Sequence, residues 1–326
     1  MYMIKWLIKI RIKQLIGIIW HYMPCRLQSI IQTRHANKKA LHDLDVYTTN
    51  TISKEDVVAA MGELDLQNDV LIHSSLQDIG NIEGRHKTFI EYLDEKILLP
   101  GKNILSIAIP VKGSTYEYLK TIKSFDATAP NAMGVITKQY MKRNDAIRSL
   151  NPTHSVVVVG PLASYYTSQH HIDATPFTVN SPYYKLLEQD GDILMIGADI
   201  KHLTICHLIE DLLGEEFPYD VYARNEFDIT IKTRDGDTYK GKYKAHDSFM
   251  GSVRVPDYIL YKIKQLPSTH IIPLGNSELI HLKARDVILC MLRELRKGMS
   301  IYGYRKTSKI KQQSIDRWID KILNMS

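Results

Sequence analysis

The sequence predicts an α/β fold: three layers, α/β/α, around a mixed central sheet, with a small hairpin-containing insertion. Three observations predict it. Short apolar runs rich in β-branched residues, among them Val70-Leu71-Ile72 and Val156-Val157-Val158-Val159, read as buried strands. Segments of helical periodicity with capping signals lie between them. The two kinds alternate over residues 53–297, which favours a sheet covered by helices on both faces.

The elements follow in order. Ser53 is placed to cap a helix beginning Lys54-Glu55-Asp56, whose acids suit the positive end of the helix dipole. Residues 69–73 read as a strand ending in a polar turn, and 88–99 as a helix closed by Pro100-Gly101. Residues 103–109 form a short strand stopped by Pro110, 134–143 a helix, and 155–159 a buried strand. A helix at 183–189 and a strand at 192–196 lead to Gly197, after which 204–213 reads as helical. The runs 227–232 and 238–243 flank Asp235-Gly236, a hairpin signal within an insertion near 220–260. Residues 279–297 read as one long helix.

At 326 residues and 44% apolar composition, the chain can bury one large core or two ordinary ones. Cys25, Cys206 and Cys290 are too widely spaced for a zinc pattern or a disulfide framework, so no metal is expected and a reducing, cytoplasmic setting is. The net charge of +6 is unevenly spread. Residues 1–42 carry eight bases and no acid, residues 297–326 carry seven bases and two acids, and the body between them is net acidic. A nucleic-acid binder spreads bases over its folded surface, so no nucleic-acid partner is expected; an acidic body suits a cationic small molecule better.

The expected organisation is a basic extension over 1–52, a main domain over 53–297 and a basic helical tail over 298–326. The opening MYMIKWLIKIRIKQLIGIIWHYM has no uncharged run of the ~18 residues a membrane span needs and no signal-peptide pattern. Lys5, Lys9 and Lys13 recur every four residues beside Trp6, Leu7, Ile10, Ile18 and Trp20. Two readings stay open for residues 1–42. One is peripheral contact with the inner face of a membrane; the other is a helix docked on its own domain or across a homo-oligomer. The tail repeats the theme with Ile315, Trp318, Ile319, Ile322 and Leu323 at helical spacing.

Three motifs can carry chemistry. His73-Ser74-Ser75-Leu76 follows a strand directly, where ligands of open α/β sheets bind; its amides and hydroxyls suit a phosphate or an amide-bearing ligand, or simply start a helix. Arg148-Ser149-Leu150-Asn151-Pro152-Thr153-His154-Ser155 offers an arginine beside small hydroxyls, fit to clamp a phosphate or to pair with a carboxylate. His207 and Glu210 lie three apart and so on one helix face, with Thr204 three residues earlier. A carboxylate that accepts a hydrogen bond from imidazole fixes its tautomer and raises its basicity, the requirement for a general base; otherwise the pair is a solvated salt-bridged face. Cys206 adjoins His207, but neighbouring helical residues point about 100° apart, so a buried Cys is the better reading than a nucleophile.

In order and spacing, NDVLIHSSLQDIG, FDATAPNAMGVITKQY, AIRSLNPTHSVVVVGPLA, SPYYKLLEQDGDILMIGADIKHLTICHLIED and GNSELIHLKARDVI resemble the aminoglycoside 3-N-acetyltransferase family. The resemblance implies acetyl-CoA as cosubstrate, direct transfer in a ternary complex and no metal. It implies that His73, Ser74, Ser75, Leu76, Arg148, Ser149 and Ser155 serve the coenzyme, and that Thr204, His207 and Glu210 are catalytic. The sequence departs from the family at Glu83-Gly84-Arg85, Pro110-Val111-Lys112-Gly113-Ser114 and Asn151-Pro152, around the expected acceptor contacts. The expected activity is N-acetylation of an amino sugar for surface polysaccharide. The alternatives are aminoglycoside N-acetylation conferring resistance and a non-catalytic coenzyme- or sugar-binding partner at a membrane.

Overall fold

Among the described residues, twelve strands organise the fold: β1 (Val70–Ser74), β2 (Ile104–Ile107), β3 (Ser124–Phe125), β4 (Ile147–Arg148), β5 (Val156–Val159), β6 (Asp192–Ile196), β7 (Phe227–Lys232), β8 (Thr238–Tyr243), β9 (His270–Leu274), β10 (Ser277–Lys283), β11 (Met299–Ser300) and β12 (Gly303–Tyr304). The computed structural model describes residues 2–24, 27, 28, 31 and 51–325; expectations resting on Cys25, Arg26, Arg34, Lys38 and Lys39 lie outside them. Seven strands form the main sheet in the order β4-β5-β2-β1-β6-β10-β9. Its centre, β2-β1-β6, is parallel, and the strands added on either side run antiparallel, so the sheet is mixed as expected.

Alternate residues of these strands face opposite layers. Leu71, Leu105, Val158, Ile193 and Met195 join one core, which includes Val287 and Leu292 of the helix Ala284–Arg296. Ile72, Ile104, Val157, Leu194 and Ile196 join the other, with Val57 and Met61 of the helix Lys54–Gly62 and Phe89 of the helix His86–Leu93. The Lys54 helix starts where Ser53 and Asp56 form a reciprocal capping box, each side chain bonding to the other residue's amide. The helix Pro182–Glu188 likewise starts on a Ser181 cap with proline in its first turn.

Two expected helices are corrected. Residues 279–283 are not helical but belong to β10, and the helix begins only at Ala284. Leu279 to Leu282 are buried without a break, because β10 is paired on both edges and covered on both faces. Such a strand lacks alternation, and its apolar run can be read as helix. The second correction is smaller: residues 204–213 divide into a 3₁₀ turn, Thr204–His207, and an α-helix, Leu208–Leu213. The edge strand β9 and the helix Asp257–Lys264 are not among the expected elements; Pro273 sits in β9 because prolines in sheets are tolerated at edges.

The β7–β8 hairpin forms where Asp235-Gly236 predicted it and adds β3 as a parallel neighbour. It has its own small core of Leu119, Phe125, Ile229, Ile231, Tyr243 and Ala245. Both chain ends pack on the body. The helix Tyr2–Tyr22 buries Ile10 in the main core, sets Trp6 edge-on to Tyr258 at 5.7 Å, and pairs Lys13 with Asp257 at 2.6 Å. Gly17 is its closest approach: a Cβ there would lie 2.1 Å from the Ser252 carbonyl oxygen. The helix Lys309–Leu323 buries Ile315 and Ile322 in the same core. Among the described residues no helix is long and apolar enough to cross a membrane.

Candidate active site

The parallel strands β1, β2 and β6 end at one side of the sheet, and a cavity of about 1430 Å³ opens there. His73, Ser74 and Ser75 enter its wall at the end of β1, Ile107 and Ile109 at the end of β2, and residues 197–204 after β6. Strand carboxyl ends are where α/β sheets bind ligands. Gly197 has φ +67°, and a Cβ there would come within 2.6 Å of the Ser75 carbonyl oxygen, so glycine lets the β1 and β6 turns meet. The cavity exceeds the ~300–1,000 Å³ usual for a single ligand, which leaves room for two substrates.

On one wall stands His207, at the end of the 3₁₀ turn. Its Nδ1 lies 2.8 Å from Glu210 Oε1, so the predicted pair is formed. Glu210 is buried and accepts two further hydrogen bonds, from His246 Nε2 at 2.7 Å on Oε2 and from the Tyr302 hydroxyl at 2.8 Å on Oε1. Burial works against its ionised form, but the adjoining imidazoles of His207 and His246 hold its carboxyl well below the usual range. Tyr302 stays protonated, since burial and the Glu210 charge push its hydroxyl well up. Burial pulls His246 down, and its ring stacks on Tyr222 at 4.6 Å.

The remaining nitrogen of His207 faces Arg254, whose Nη1 lies 2.8 Å from Nε2. A guanidinium only donates, so Nε2 accepts and the ring proton sits on Nδ1, toward Glu210. That is the tautomer of a general base with its lone pair turned to the cavity. The donor atoms of His207, Glu210 and His246 all lie within 4.8 Å of one another. The 2.7 and 2.8 Å separations are hydrogen-bond lengths. Two ligands each ~2.0–2.2 Å from one tetrahedral zinc would stand further apart.

The other predicted residues divide. Thr204, His73, Ser74 and Ser75 line the cavity. His73 is buried, its Nε2 has no partner, and burial followed by the charge of His202 lowers it to about 3, so the ring is neutral. Leu76 packs against the second core instead. Arg148 is placed differently. It is only 6% exposed and lies outside the cavity wall. Its guanidinium donates to Ser155 Oγ at 2.9 Å, to the Ala108 and Pro130 carbonyls at 2.7 and 3.1 Å, and to the Ala129 carbonyl. All four of these bonds go to the protein. Ser149 joins His170 Nδ1 and the Val156 amide, and Ser155 donates to Ala108, so these hydroxyls also lock the loop. Cys206 is buried, and its thiol is pushed up to about 12, which removes it as a nucleophile.

His246, Arg254 and Tyr302 were not legible beforehand. They lie 36, 44 and 92 residues beyond Glu210, respectively. His246 and Arg254 come from the segment after the hairpin, and Tyr302 from the tight β11–β12 turn. No local pattern marks them.

Residues 71–295 match the family model described as aminoglycoside 3-N-acetyltransferase. A curated relative, aminoglycoside N(3)-acetyltransferase III of Serratia marcescens, is 24% identical over 154 residues, 43% of this chain and 56% of that protein. A second, of the same description from Salmonella sp., is 26% identical over 173 residues, 48% of this chain and 60% of that protein. The chain therefore aligns with little more than half the length of these curated relatives. Among solved structures, the binary complex of AAC-IIIb with CoASH superposes with a TM-score of 0.60 at 19% identity, over 76% of this chain and 97% of that one. At that identity the likeness is one of fold.

Proposed function

This chain belongs to the aminoglycoside 3-N-acetyltransferase family, and we propose that it transfers the acetyl group of acetyl-CoA to a primary amine of an aminoglycoside-type acceptor. The observation that carries the reading is His207, whose Nδ1 is held by a buried, triply bonded Glu210 while Nε2 opens to a cavity large enough for two substrates. In this reading the acceptor amine takes the place of Arg254 at Nε2. His207 removes its proton, and the charge that arrives on the ring is balanced by Glu210. The amine nitrogen forms a bond to the thioester carbonyl carbon, and the oxyanion faces the side of the cavity that carries Thr204. As the oxyanion collapses, the carbon–sulfur bond breaks, and the thiolate takes the proton from His207 to leave as coenzyme A. Ser74, Ser75 and the neutral His73 offer donors and acceptors to the pantetheine arm at the β1 turn.

The relatives support an aminoglycoside over an amino sugar of surface polysaccharide. Both curated relatives are named for aminoglycoside N(3)-acetylation, and a structural neighbour of 19% identity and TM-score 0.60 is described as a complex with a gentamicin. The net acidity of residues 43–296 also favours a polycationic acceptor.

The test is thiol release from acetyl-CoA by wild type and His207→Gln, offered aminoglycosides, nucleotide-linked amino sugars and simple amines. The expected result is turnover with aminoglycosides that the substitution abolishes. Faster turnover with a nucleotide-linked amino sugar reverses the choice of acceptor. Coenzyme A binding without turnover of any amine would favour the non-catalytic alternative.

A further inference from the structure

We propose that the Tyr2–Tyr22 helix holds the protein to an anionic lipid surface through an aliphatic stripe on the side opposite its docked face. The inference is independent of the acceptor. The docked face is defined by Ile10, Lys13, Gln14 and Gly17, spaced as one side of a helix. On the opposite side Ile8, Ile12, Leu15, Ile16 and Ile19 follow the same spacing, and their exposures are 57%, 55%, 58%, 59% and 56%. Single exposed aliphatics are ordinary; five contiguous ones on one helix face are not. The helix is thus apolar on both sides, and burial against the body accounts for only one of them.

Charge decides what covers the stripe. Lys9 and Arg11 are exposed at its borders, and residues 1–42 hold eight bases and no acid. Anionic headgroups complement that rim, and the acyl boundary beneath them accepts the isoleucines. A second copy laid face to face would bring the same bases against their own equivalents, and one helix face is narrow beside the ~800 Å² per partner of a stable interface. The helix would lie in the surface rather than cross it.

The docked side links this surface to the acid–base cluster. Gln14 Nε2 donates to the Tyr302 carbonyl at 2.8 Å, and the Tyr302 hydroxyl reaches Glu210. Gly17 seats the helix on Ser252, two residues before Arg254. A helix held by lipid therefore stands directly behind two contacts of the His207–Glu210 pair.

The test is co-sedimentation of the full chain with phosphatidylcholine vesicles and with vesicles of phosphatidylcholine mixed with phosphatidylglycerol, at low and high salt. Wild type should pellet with the mixed vesicles, less so at high salt. The triple variant Ile12→Glu, Ile16→Glu, Ile19→Glu should lose about tenfold or more in binding with its melting temperature unchanged. If that variant melts early, Lys9→Glu with Arg11→Glu, which leaves the stripe intact, should lose binding to the mixed vesicles. Wild type remaining in the supernatant with both vesicle types overturns the proposal. So does a variant that pellets like wild type, or a wild-type dimer in sedimentation velocity that the triple variant dissociates, which would assign the stripe to a second copy.

Discussion

Two polar clusters in this chain have opposite fates. Around Glu210 a buried carboxylate gathers His207, His246 and Tyr302, and one ring nitrogen is left facing a cavity. Around Arg148 a buried guanidinium gathers Ser155 and three backbone carbonyls, which engage four of its five N–H donors away from the cavity wall. Burial pulls Arg148 down only to about 10, so it remains charged and needs those carbonyls. In the first cluster a proton taken up at Nε2 displaces only Arg254 and leaves the Glu210 bonds in place. The second is a clasp joining residues 129 and 130 to the end of β2. A polar residue in a cleft-side loop is therefore not a site by virtue of its type; what counts is whether its reactive atom lies on the cavity wall, held there only by a partner that a substrate can replace.

The sharpest way to break this comparison is to remove each centre. His207→Gln should lower turnover by about 10²–10⁴-fold, the scale of general-base loss, with coenzyme A affinity and melting temperature close to wild type. Steady-state kinetics and calorimetry check both halves; retained turnover would mean that Nε2 of His207 is not used. Arg148→Ala should do the reverse. Three carbonyls and Ser155 lose a charged donor, and a buried acceptor left unsatisfied costs about 1–3 kcal/mol in stability. The protein that remains folded should bind coenzyme A as wild type does. A selective loss of coenzyme affinity at normal stability would restore Arg148 to the coenzyme site.

The uneven legibility of the two clusters has a physical cause. His207 and Glu210 are three residues apart, and local geometry alone brings them together. The strands β1, β5 and β6, the hairpin and the Ser53 cap were equally readable, because each is written in contiguous residues. His246 and Tyr302 reach Glu210 only through the tertiary path of the hairpin and the β11–β12 turn, and a lone His or Tyr carries no sign of its partner. The role of Arg148 depends on carbonyls of residues 108, 129 and 130, and backbone acceptors are invisible in side-chain composition. For β10 the failure was one of period, since a strand covered on both faces does not alternate.

A finer comparison lies within the Glu210 cluster. Tyr302→Phe removes one of three hydrogen bonds to the carboxylate and leaves both imidazoles in place. A bond to a charged group contributes about 1.5–3 kcal/mol, so stability should fall by that order while turnover falls far less than in His207→Gln. A loss of turnover as large as that of His207→Gln, at unchanged melting temperature, would place Tyr302 in the chemistry rather than beneath it.

The smallest effect concerns Asp211, next to Glu210, whose carboxylate accepts the Phe177 amide at 2.7 Å. Phe177 in turn packs its ring 5.5 Å from that of His207. Burial pushes the Asp211 carboxyl up to about 6, and its hydrogen bonds only partly oppose this. An unfolded aspartate titrates near ~3.9. Between those two values the folded chain holds a proton that the unfolded chain has released, so this group's contribution to stability falls as pH rises through that window. Asp211→Asn keeps an oxygen for the Phe177 amide and abolishes the titration. The variant should gain stability relative to wild type as pH rises from about 4 to 6, reaching about 1–3 kcal/mol at neutral pH, with turnover little changed. Denaturant unfolding of both proteins across that range measures the difference directly. A constant difference would show that Asp211 is ionised throughout, and that the wall behind His207 is wetter than its packing implies.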